Sequence, residues 1–361
     1  MSKKVLAAMS GGVDSSAAAL LLLQQSYEVV GATARMFGGE DIGLPGAALN
    51  IERDIKDAQA VAAKLGIEHK VVDLCGCFRS SVIRRFVEEY QCGRTPNPCV
   101  YCNKHVKFGA LLDFAKEQGC DYLATGHYAR IFYSAEHGRW LLARGEDRRK
   151  DQSYMLFSLT QEQLARVLLP LAEVSKDAIR RTAAEAGLVT AQKPDSQDIC
   201  FVPDGDYAGL IARVDKTPPG SGNFVHLNGQ VLGRHKGMIN YTIGQRKGLG
   251  IAYDYPLYVI DKDMESGNVI VGPQEALFSK ALLAEGCNFI MTDKLDAPMR
   301  VTAKTRYRQE DVPAMIEPYG GGLVKVTFDE PMRAITPGQA VVFYSGEYVV
   351  GGGIIKIALK E

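Results

Sequence analysis

The chain has 361 residues, of which 46% are hydrophobic and 23% are charged, a composition typical of a globular protein with roughly two to three domains of about 150 residues each. Disordered, collagen-like and small disulfide-stapled classes are therefore excluded. The 42 basic residues balance the 42 acidic ones, which neither indicates nor excludes a nucleic-acid partner, because a basic face can lie within a neutral total.

Hydrophobic segments are short throughout the chain. The longest purely apolar run, Ala17–Leu23, is far shorter than the roughly 20 residues that a membrane span needs. Near the N-terminus, Val5–Met9 is too short for the apolar core of a signal peptide. We therefore expect a cytoplasmic protein with no membrane partner.

The first half of the chain alternates strand-like and helix-like segments. In chain order, the pattern predicts a strand at Val5–Met9, a helix at Asp14–Gln25, a strand at Val29–Thr33, a helix at Ile51–Leu65, a strand at Ile67–Leu74, helices at Phe78–Tyr90 and Lys104–Gln118, strands at Tyr122–Thr125 and Arg139–Ala143, and a helix at Lys176–Ala186. Asn50 and Ser175 are the predicted N-caps of two helices, and Gly66, Gly119 and Gly187 the predicted stops. This alternation predicts a parallel sheet with helices on both faces.

The second half, past Phe201, has a different texture. Helical periodicity largely disappears, and Thr217–Gly222 has the composition of a linker. Short apolar runs separated by turn residues predict strands at Leu257–Ile260, Val269–Val271, Arg300–Thr305, Leu323–Phe328, Ala340–Phe343 and Tyr348–Val350. We expect small antiparallel β domains. The predicted organisation is an α/β domain over 1–205, a small β-rich module over 206–278 and a C-terminal β-barrel over 279–361.

A glycine-rich segment, Ser10–Ser16, lies between the first predicted strand and the first predicted helix. Backbone N–H groups and the helix N-terminus at such a junction favour an anion, while glycines permit close backbone approach. The segment matches neither the Walker P-loop nor the dinucleotide-binding fingerprint. A tight turn with an ordinary N-cap is the structural alternative.

This segment, Ser-Gly-Gly-Val-Asp-Ser-Ser, resembles the pyrophosphate loop of the ATP pyrophosphatases, whose parallel-sheet domain has the adenine-nucleotide α-hydrolase-like (PP-loop) fold. The resemblance implies cleavage of ATP between the α- and β-phosphates and transfer of AMP to a substrate oxygen. The loop would hold the leaving pyrophosphate, usually with Mg²⁺, and Asp14 is the expected carboxylate on the metal side. The loop alone does not choose among amidating, ligating and thiolating members.

Two of the eight cysteines stand in contexts that suggest chemistry. In a cytosolic chain, cysteines indicate packing residues, metal ligands or reactive thiols rather than disulfides. Cys102 lies near the N-terminus of a predicted helix, where the helix dipole and Lys104 are expected to favour the reactive thiolate. Cys200 lies in the polar loop 195–201. Two separated thiols beside an adenylating loop suggest sulfur transfer, in which one carries sulfur and the other resolves it.

Taken together, these features resemble the bacterial and organellar tRNA-specific 2-thiouridylase family, and the resemblance spans essentially the whole chain. Further matching strings are Ala124–Arg130, Lys150–Tyr154, Tyr241–Gly250, Lys304–Arg308 and Thr336–Gln339. The resemblance implies that Cys102 is the catalytic nucleophile and that Cys200 carries a persulfide. The implied ATP-binding residues are Ala8, Met9, Ser10, Gly11, Gly12, Val13, Asp14, Ser15, Ala34 and Gly126. The implied tRNA-binding residues are Asn97, Pro98, Cys99, Lys150, Asp151, Gln152, Arg306 and Tyr307.

Two positions depart from the family pattern. Some members have an acidic residue where Cys99 stands, proposed there to help activate the base, and a thiol is a poorer acid–base group at neutral pH. A methionine that packs near adenine in some members falls at about Ala34, with Met36 two residues later.

The implied reaction begins with ATP adenylating O2 of the wobble uridine in tRNA for Lys, Glu or Gln. A cysteine desulfurase or sulfur-relay protein charges Cys200 with a persulfide, which supplies sulfur to C2. Cys102 attacks the persulfide or accepts the disulfide bond as AMP leaves, so that a Cys102–Cys200 disulfide must then be reduced. The base must leave the anticodon stack to be reached. We expect the protein to act as a monomer.

Several alternatives stay open at this point. Cys75, Cys77, Cys99 and Cys102 suit a structural zinc or iron–sulfur site, and Cys99, Cys102 and Cys200 suit a cluster, although neither is favoured. Cys92, Cys120 and Cys287 are expected to be buried packing residues. His127 faces the nucleotide or has a structural hydrogen-bonding role. Basic clusters such as 148–150 and 300–308 are solvated faces or, with nearby tyrosines, a tRNA surface.

Two other functions compete with thiolation. An ATP pyrophosphatase that amidates or ligates a small metabolite needs neither the pair Cys102 and Cys200 nor a β-rich tail. A non-catalytic sulfur carrier or RNA-binding protein has no need of the Ser10–Ser16 loop. Both alternatives therefore leave features of the sequence unexplained.

Overall fold

A computed structural model describes residues 2–194, 199–215 and 220–360. Residues 217–219 of the predicted linker Thr217–Gly222 and the Asp195–Asp198 part of the Cys200 loop lie outside these described residues.

Helices and strands alternate through the first 215 residues. In chain order they are β1 (Lys4–Ala8), α1 (Val13–Gln24), β2 (Glu28–Arg35), α2 (Ala48–Leu65), β3 (His69–Asp73), α3 (Cys75–Phe78), a π-helical segment (Arg79–Ile83), α4 (Arg84–Gln91), α5 (Pro98–Tyr101), a second π-helical segment (Cys102–Ala110), α6 (Leu111–Glu117), β4 (Tyr122–Ala124), β5 (Ala129–Ser134), β6 (Arg139–Arg144), α7 (Gln161–Leu164), β7 (Val167–Leu168), α8 (Lys176–Glu185) and α9 (Tyr207–Asp215).

Strands dominate from residue 220 onward, as the sequence predicted. They are β8 (Gly222–His226), β9 (Val231–His235), β10 (Tyr258–Asp263), β11 (Asn268–Gly272), β12 (Phe278–Phe289), β13 (Met299–Lys304), β14 (Val312–Tyr319), β15 (Leu323–Arg333), β16 (Ala340–Ser345) and β17 (Tyr348–Leu359). None of the helices in the described ranges is both long and apolar enough to cross a membrane.

A parallel sheet with strand order β3-β2-β1-β4-β7 forms the centre of the N-terminal region. Side chains of β1 alternate between two cores, as strand geometry requires. Val5 and Ala7 pack with helices α1, α2 and α8 on one face, while Leu6 packs with Phe108 and Leu111 on the other. The predicted sheet with helices on both faces is therefore confirmed. The strand order reverses between β1 and β4, which is where open α/β sheets bind ligands.

The C-terminal strands close into a barrel, as predicted. Its order is β12-β15-β14-β13-β16-β17, and β12 also pairs with β17 to complete the ring. The predicted strand at Arg139–Ala143 exists, but it forms a hairpin with β5 that joins the barrel sheet through the pair Ala143 and Tyr348. A turn of four residues permits only antiparallel pairing, so this strand has no place in the parallel sheet.

The middle sheet has the order β10-β11-β8-β9. The prediction of a small antiparallel β domain holds for the pairs β10–β11 and β8–β9 but was wrong for the central pair, because β8 and β11 run parallel. The domain limits at residues 205 and 278 stay a prediction.

Helix termini show where local signals sufficed. Ser175 caps α8 by accepting a hydrogen bond from the backbone N–H of Ala178 at 3.3 Å. Gly66, Gly119 and Gly187 all adopt positive φ after their helices, as predicted. The Asn50 cap was wrong, because α2 begins two residues earlier, at Ala48.

Candidate active site

The glycine-rich loop connects the end of β1 to α1, as the sequence predicted. Ser15 Oγ accepts a hydrogen bond from the backbone N–H of Ser10 at 3.0 Å and lies 3.1 Å from the carbonyl of Gly12. Ser16 Oγ donates to the same carbonyl at 2.9 Å. The serines therefore fix the loop's shape. Because the N-cap, Gly12, has no side chain, the N–H groups of the first helical turn are presented to a ligand, which suits an anion.

Two glycines are required by close approach. Gly11 has φ of +71°, and a Cβ on it would lie 2.3 Å from the carbonyl oxygen of Asp54. Gly126 lies directly against the loop, since its Cβ would come within 2.9 Å of the backbone nitrogen of Ser15. Any larger residue at either position displaces the loop.

Asp14 makes an ion pair that sequence reasoning missed. Lys176 Nζ donates to both of its carboxylate oxygens, at 2.6 and 2.7 Å, and the Tyr128 hydroxyl donates to Oδ1 at 2.7 Å. Lys176 is buried although it comes from α8, 162 residues away. A signal did exist: a lysine in the first turn of a helix opposes the helix dipole, which indicates that it serves another purpose.

The Asp14 carboxylate is a poor fit to a divalent cation in this arrangement. Lys176 neutralises its charge, and both oxygens accept hydrogen bonds. Across the described part of the chain, no group of three or more His, Cys, Asp or Glu side chains is placed to hold a metal ion. The involvement of Mg²⁺ at this loop therefore stays a prediction.

The carboxyl end of β2 connects the loop to the thiols. Ala34 pairs with Val72 near the end of β2, at the same edge of the sheet as the loop. Two residues on, Met36 Sδ lies 3.9 Å from Cys102 Sγ. The predicted adenine side of the site and the predicted nucleophile are thus close neighbours.

Cys102 lies at the junction between α5 and the second π-helical segment, and it is buried. Burial raises the pKa of its thiol to about 11, and the positive charge of Lys107 opposes this only in part. The prediction of a stabilised thiolate was wrong. The predicted position near a helix N-terminus is confirmed, since Cys102 is the fifth residue of an unbroken helical run that begins at Pro98. Burial is nevertheless the largest effect on its pKa, and the cation that acts on the thiol is Lys107 rather than the exposed Lys104.

Cys200 comes close to Cys102, although 98 positions separate them in the chain. Burial is the largest cause that raises the pKa of Cys200, to about 12, followed by Cys102 and then Cys99. Lys107 lowers the pKa of each of the three thiols. Solvent nevertheless reaches Cys99 and Cys200. The two predicted catalytic thiols therefore lie within electrostatic range of one another and of Lys107.

Of the other cysteines, Cys77 also lies within electrostatic range of Cys102, whose pKa it raises. Cys75 Sγ lies 3.6 Å from the carbonyl of Arg35, and Cys77 Sγ lies 3.7 Å from that of His105. Cys120 is buried as predicted, but Cys92 is exposed because it forms the C-cap of α4 at the surface, and Cys287 is half-buried.

His127 has the structural role that the sequence left open. Its ring is buried, Nδ1 lies 2.7 Å from Thr125 Oγ1, and burial holds its pKa well below the usual value. The imidazole is therefore neutral at pH 7.

The residues predicted to bind tRNA divide by exposure. Asp151 is buried and accepts hydrogen bonds from Gly145 and Ser153. Gln152 Oε1 accepts from the backbone of Tyr128 at 3.0 Å, so both residues maintain the loop that carries the half-buried Lys150.

The remaining predicted contacts lie nearer the thiols and the barrel. Asn97 and Pro98 begin α5, with Asn97 Nδ2 3.5 Å from Met155 Sδ. Arg306 donates to the carbonyl of Ala334 and to Thr336 Oγ1, both at 3.0 Å. Tyr307 packs against the core that contains Leu6, Phe108 and Leu111. Their tRNA contacts stay predictions.

Family models match almost the entire chain. A tRNA methyl transferase HUP domain covers residues 3–204, a tRNA methyl transferase PRC-barrel domain covers 214–273, and an aminomethyltransferase β-barrel domain covers 279–355. These matches follow the parallel sheet, the mixed sheet and the closed barrel in turn.

Similar proteins match at full length. The tRNA-specific 2-thiouridylase MnmA of Clostridioides difficile is 47% identical over 360 residues, covering 99% of each chain. That of Acetivibrio thermocellus is 48% identical, covering 98% of this chain and 99% of its own. That of Carboxydothermus hydrogenoformans is 49% identical and covers 98% of each.

Proposed function

The chain belongs to the tRNA-specific 2-thiouridylase family, and on that premise we propose that it uses ATP to replace O2 of the wobble uridine of tRNA with sulfur. The observation that carries the proposal is the full-length similarity to these relatives, at 47–49% identity. The electrostatic interactions that link Cys102, Cys200 and Lys107 support the same chemistry. An enzyme that amidates or ligates a small metabolite would not need the pair of thiols Cys102 and Cys200.

ATP is proposed to bind along the carboxyl edge of the parallel sheet. The N–H groups at the start of α1 receive the phosphates, Gly126 keeps the loop in place, and Ala34 lies on the adenine side. The buried ammonium of Lys176 adds positive charge beside the loop. AMP passes to the uridine O2 and pyrophosphate leaves, so that an oxygen that leaves poorly becomes part of a good leaving group.

Sulfur transfer uses the two thiols in sequence. An external donor, a cysteine desulfurase or relay protein, converts Cys200 to a persulfide. Cys102 attacks the inner sulfur of that persulfide, the Cys102–Cys200 disulfide forms, and the released hydrosulfide attacks C2 of the uridine. AMP then leaves with the C2–O bond electrons. An external thiol supplies the two electrons that reduce the disulfide before the next turnover.

The chemistry needs a change in the thiol environment before it starts. With a pKa of about 11, Cys102 is almost entirely protonated at neutral pH. A protonated, buried thiol is protected from oxidation between turnovers. We propose that tRNA bound near Asn97, Pro98 and Cys99, together with the persulfide on Cys200, supplies the group that accepts the proton of the Cys102 thiol.

The tRNA surface is proposed to include Lys150, Arg306 and Tyr307, while Asp151 and Gln152 hold their loop in shape. The barrel and the mixed sheet would bear the tRNA body, because the reacting groups all lie within the first 205 residues. We further propose that the protein acts as a monomer and divides functionally at residues 205 and 278.

The decisive test is ATP-dependent incorporation of radiolabelled sulfide into unmodified tRNA for Glu, Gln or Lys, under anaerobic conditions, followed by nucleoside digestion. We expect label in 2-thiouridine with the wild type and almost none with Cys102→Ser. Because free sulfide bypasses the persulfide, Cys200→Ser is judged in a parallel reaction with a cysteine desulfurase as donor. No label in tRNA, together with AMP formation on a small metabolite, would refute thiolation.

A further inference from the structure

The segment that leads into the catalytic helix, Arg94–Asn97, is held by the C-terminal barrel. The backbone N–H of Thr95 donates to the carbonyl of Pro337 at 2.9 Å. Gln339 Nε2 donates to the carbonyl of Thr95 at 3.0 Å and to that of Pro96 at 3.4 Å. One barrel loop, Thr336–Gln339, therefore binds consecutive peptide groups of this segment.

The two backbones approach so closely that only glycine fits between them. Gly338 has φ of +91°, and a Cβ on it would lie 2.9 Å from both the nitrogen and the carbonyl oxygen of Thr95. The loop itself is tied to β17, since Gly338 donates to the carbonyl of Ile355 at 2.9 Å and Ile355 donates to that of Gln339 at 2.8 Å. The loop that binds the Arg94–Asn97 segment is therefore itself held in place by β17.

Arg94 adds a second attachment at the start of the segment. Its partly buried guanidinium contacts Glu285 of β12 at 2.9 Å and Glu89 of α4 at 2.7 Å. Between this attachment and the thiols lie Pro96 and Pro98, whose rings fix φ. These fixed φ angles limit how much of a displacement at Thr95 rotation of the chain can absorb before Cys99 and Cys102.

The same loop contacts a residue proposed to bind tRNA. Arg306 donates to Thr336 Oγ1 at 3.0 Å, at the first position of the barrel loop. A continuous set of contacts thus runs from Arg306 through the loop to Thr95 and on to the thiols. A chain of contacting residues can couple two sites energetically, here the tRNA-binding surface and the thiols, and the coupling is measured as an interaction energy between members of the chain.

We propose that Gln339 and Gly338 are positioning residues for sulfur transfer: they hold the Arg94–Asn97 segment so that Cys99 and Cys102 face the uridine, and through Arg306 they make that placement depend on tRNA bound to the barrel. This inference rests on the proposed function, and it gives the barrel a role in the chemistry in addition to tRNA binding. Gln339 acts through Thr95 and Pro96 and touches no reacting atom.

The test compares Gln339→Glu and Gly338→Ala with the control Glu330→Gln, which changes an exposed side chain of the same barrel. Gln339→Glu keeps the shape of the side chain and replaces its donor by an acceptor facing two carbonyls. We expect single-turnover sulfur transfer from a pre-charged persulfide to fall about tenfold or more, as misplacement of reacting groups does, while the Kd for tRNA changes less than about twofold. The control is expected to match the wild type in both.

A second measurement needs neither ATP nor tRNA. Iodoacetamide labelling of the buried Cys102, followed by peptide mass spectrometry, is expected to accelerate several-fold in both loop variants, because the released segment exposes its thiol; the exposed Cys99 serves as the internal reference. Thermal unfolding of each variant separates this effect from general instability. The positioning role is overturned if the rate of sulfur transfer is retained or if only the Kd for tRNA rises. It is also overturned if the labelling rate, measured below the Tm of each variant, is unchanged.

A double-mutant cycle tests the link to tRNA. We expect the turnover losses of Arg306→Ala and Gln339→Ala to be less than multiplicative when the changes are combined, because both act on one network. Multiplicative losses would refute the coupling. A wild-type protein that makes no 2-thiouridine would instead refute the proposed function, while the labelling result would still decide whether the loop positions the segment.

Discussion

The buried thiol of Cys102 makes a quantitative prediction about its reactivity. With a pKa of about 11, about one molecule in 10⁴ carries the thiolate at pH 7. The difference of about 2 from the ordinary thiol value of 9.0 corresponds to about 3 kcal/mol in favour of the protonated form. Because only the thiolate is alkylated, raising the pH from 7 to 10 is expected to accelerate labelling of Cys102 about 1,000-fold.

A small thiol with a pKa near 8.5 is the reference for that measurement. Its alkylation is expected to rise only about 30-fold over the same pH range. Rates are followed by quenching with acid and quantifying the Cys102 peptide by mass spectrometry, with circular dichroism to verify that the protein stays folded at pH 10. A rate for Cys102 that levels off below pH 8.5 would contradict the assignment of burial as the dominant cause.

Lys107 provides a perturbation of known sign. Its positive charge lowers the pKa of Cys102, so Lys107→Met is expected to slow labelling at every pH below 10, and Lys107→Arg to preserve it. Faster labelling in Lys107→Met would mean that the lysine shields the thiol sterically, and the electrostatic reasoning would fail.

Three further predictions concern the loop and its surroundings. Gly126→Ala places a Cβ 2.9 Å from Ser15 N and is expected to weaken ATP binding about tenfold or more by calorimetry; an unchanged Kd would show that the loop moves freely. Lys176→Met leaves the Asp14 carboxylate without its cation and is expected to lower the free energy of unfolding by about 1–3 kcal/mol in urea, with partial recovery in the double variant with Asp14→Asn; no loss would mean that water replaces the lysine. The pKa of His127 in the folded protein lies well below its value in the unfolded chain, so the unfolded state binds more protons as the pH falls through about 6.5. The free energy of unfolding is therefore expected to decrease from pH 7 to 5. His127→Asn should show a smaller decrease, and a decrease equal to that of the wild type would assign the effect to other groups.

Local patterns were sufficient for the elements whose ends are set by their own residues. The Ser175 cap needs only Ala178 three positions later, and the glycine-rich loop needs only the strand before it and the helix after it. The sequence therefore predicted the parallel sheet, the loop and the barrel. Asn50 failed as a cap because it lies inside α2, where no strong local signal marks the true start.

Long-range contacts were beyond the reach of these patterns. Three interactions of the site join positions that are distant in the chain. They are the ion pair of Asp14 with Lys176, the interaction of Cys200 with Cys102 and the hydrogen bond from Gln339 to Thr95. The thiol pKa of Cys102 was misjudged for the same reason, since the atoms that bury it come from several elements. Family resemblance supplied the pairing of the thiols, but neither their protonation nor their neighbours.

The hairpin of β5 and β6 has a consequence for how the chain folds during synthesis. Its outer edge pairs with β17 at Tyr348, about 200 residues after Arg144. At 5–20 residues per second, a ribosome needs roughly 10–40 s to make that stretch. Throughout this time the hairpin presents an unpaired strand edge, which is a template for aggregation. Nascent chains stalled before residue 348 are therefore expected to depend on chaperones that cover exposed β edges, and release of the C-terminus ends that dependence.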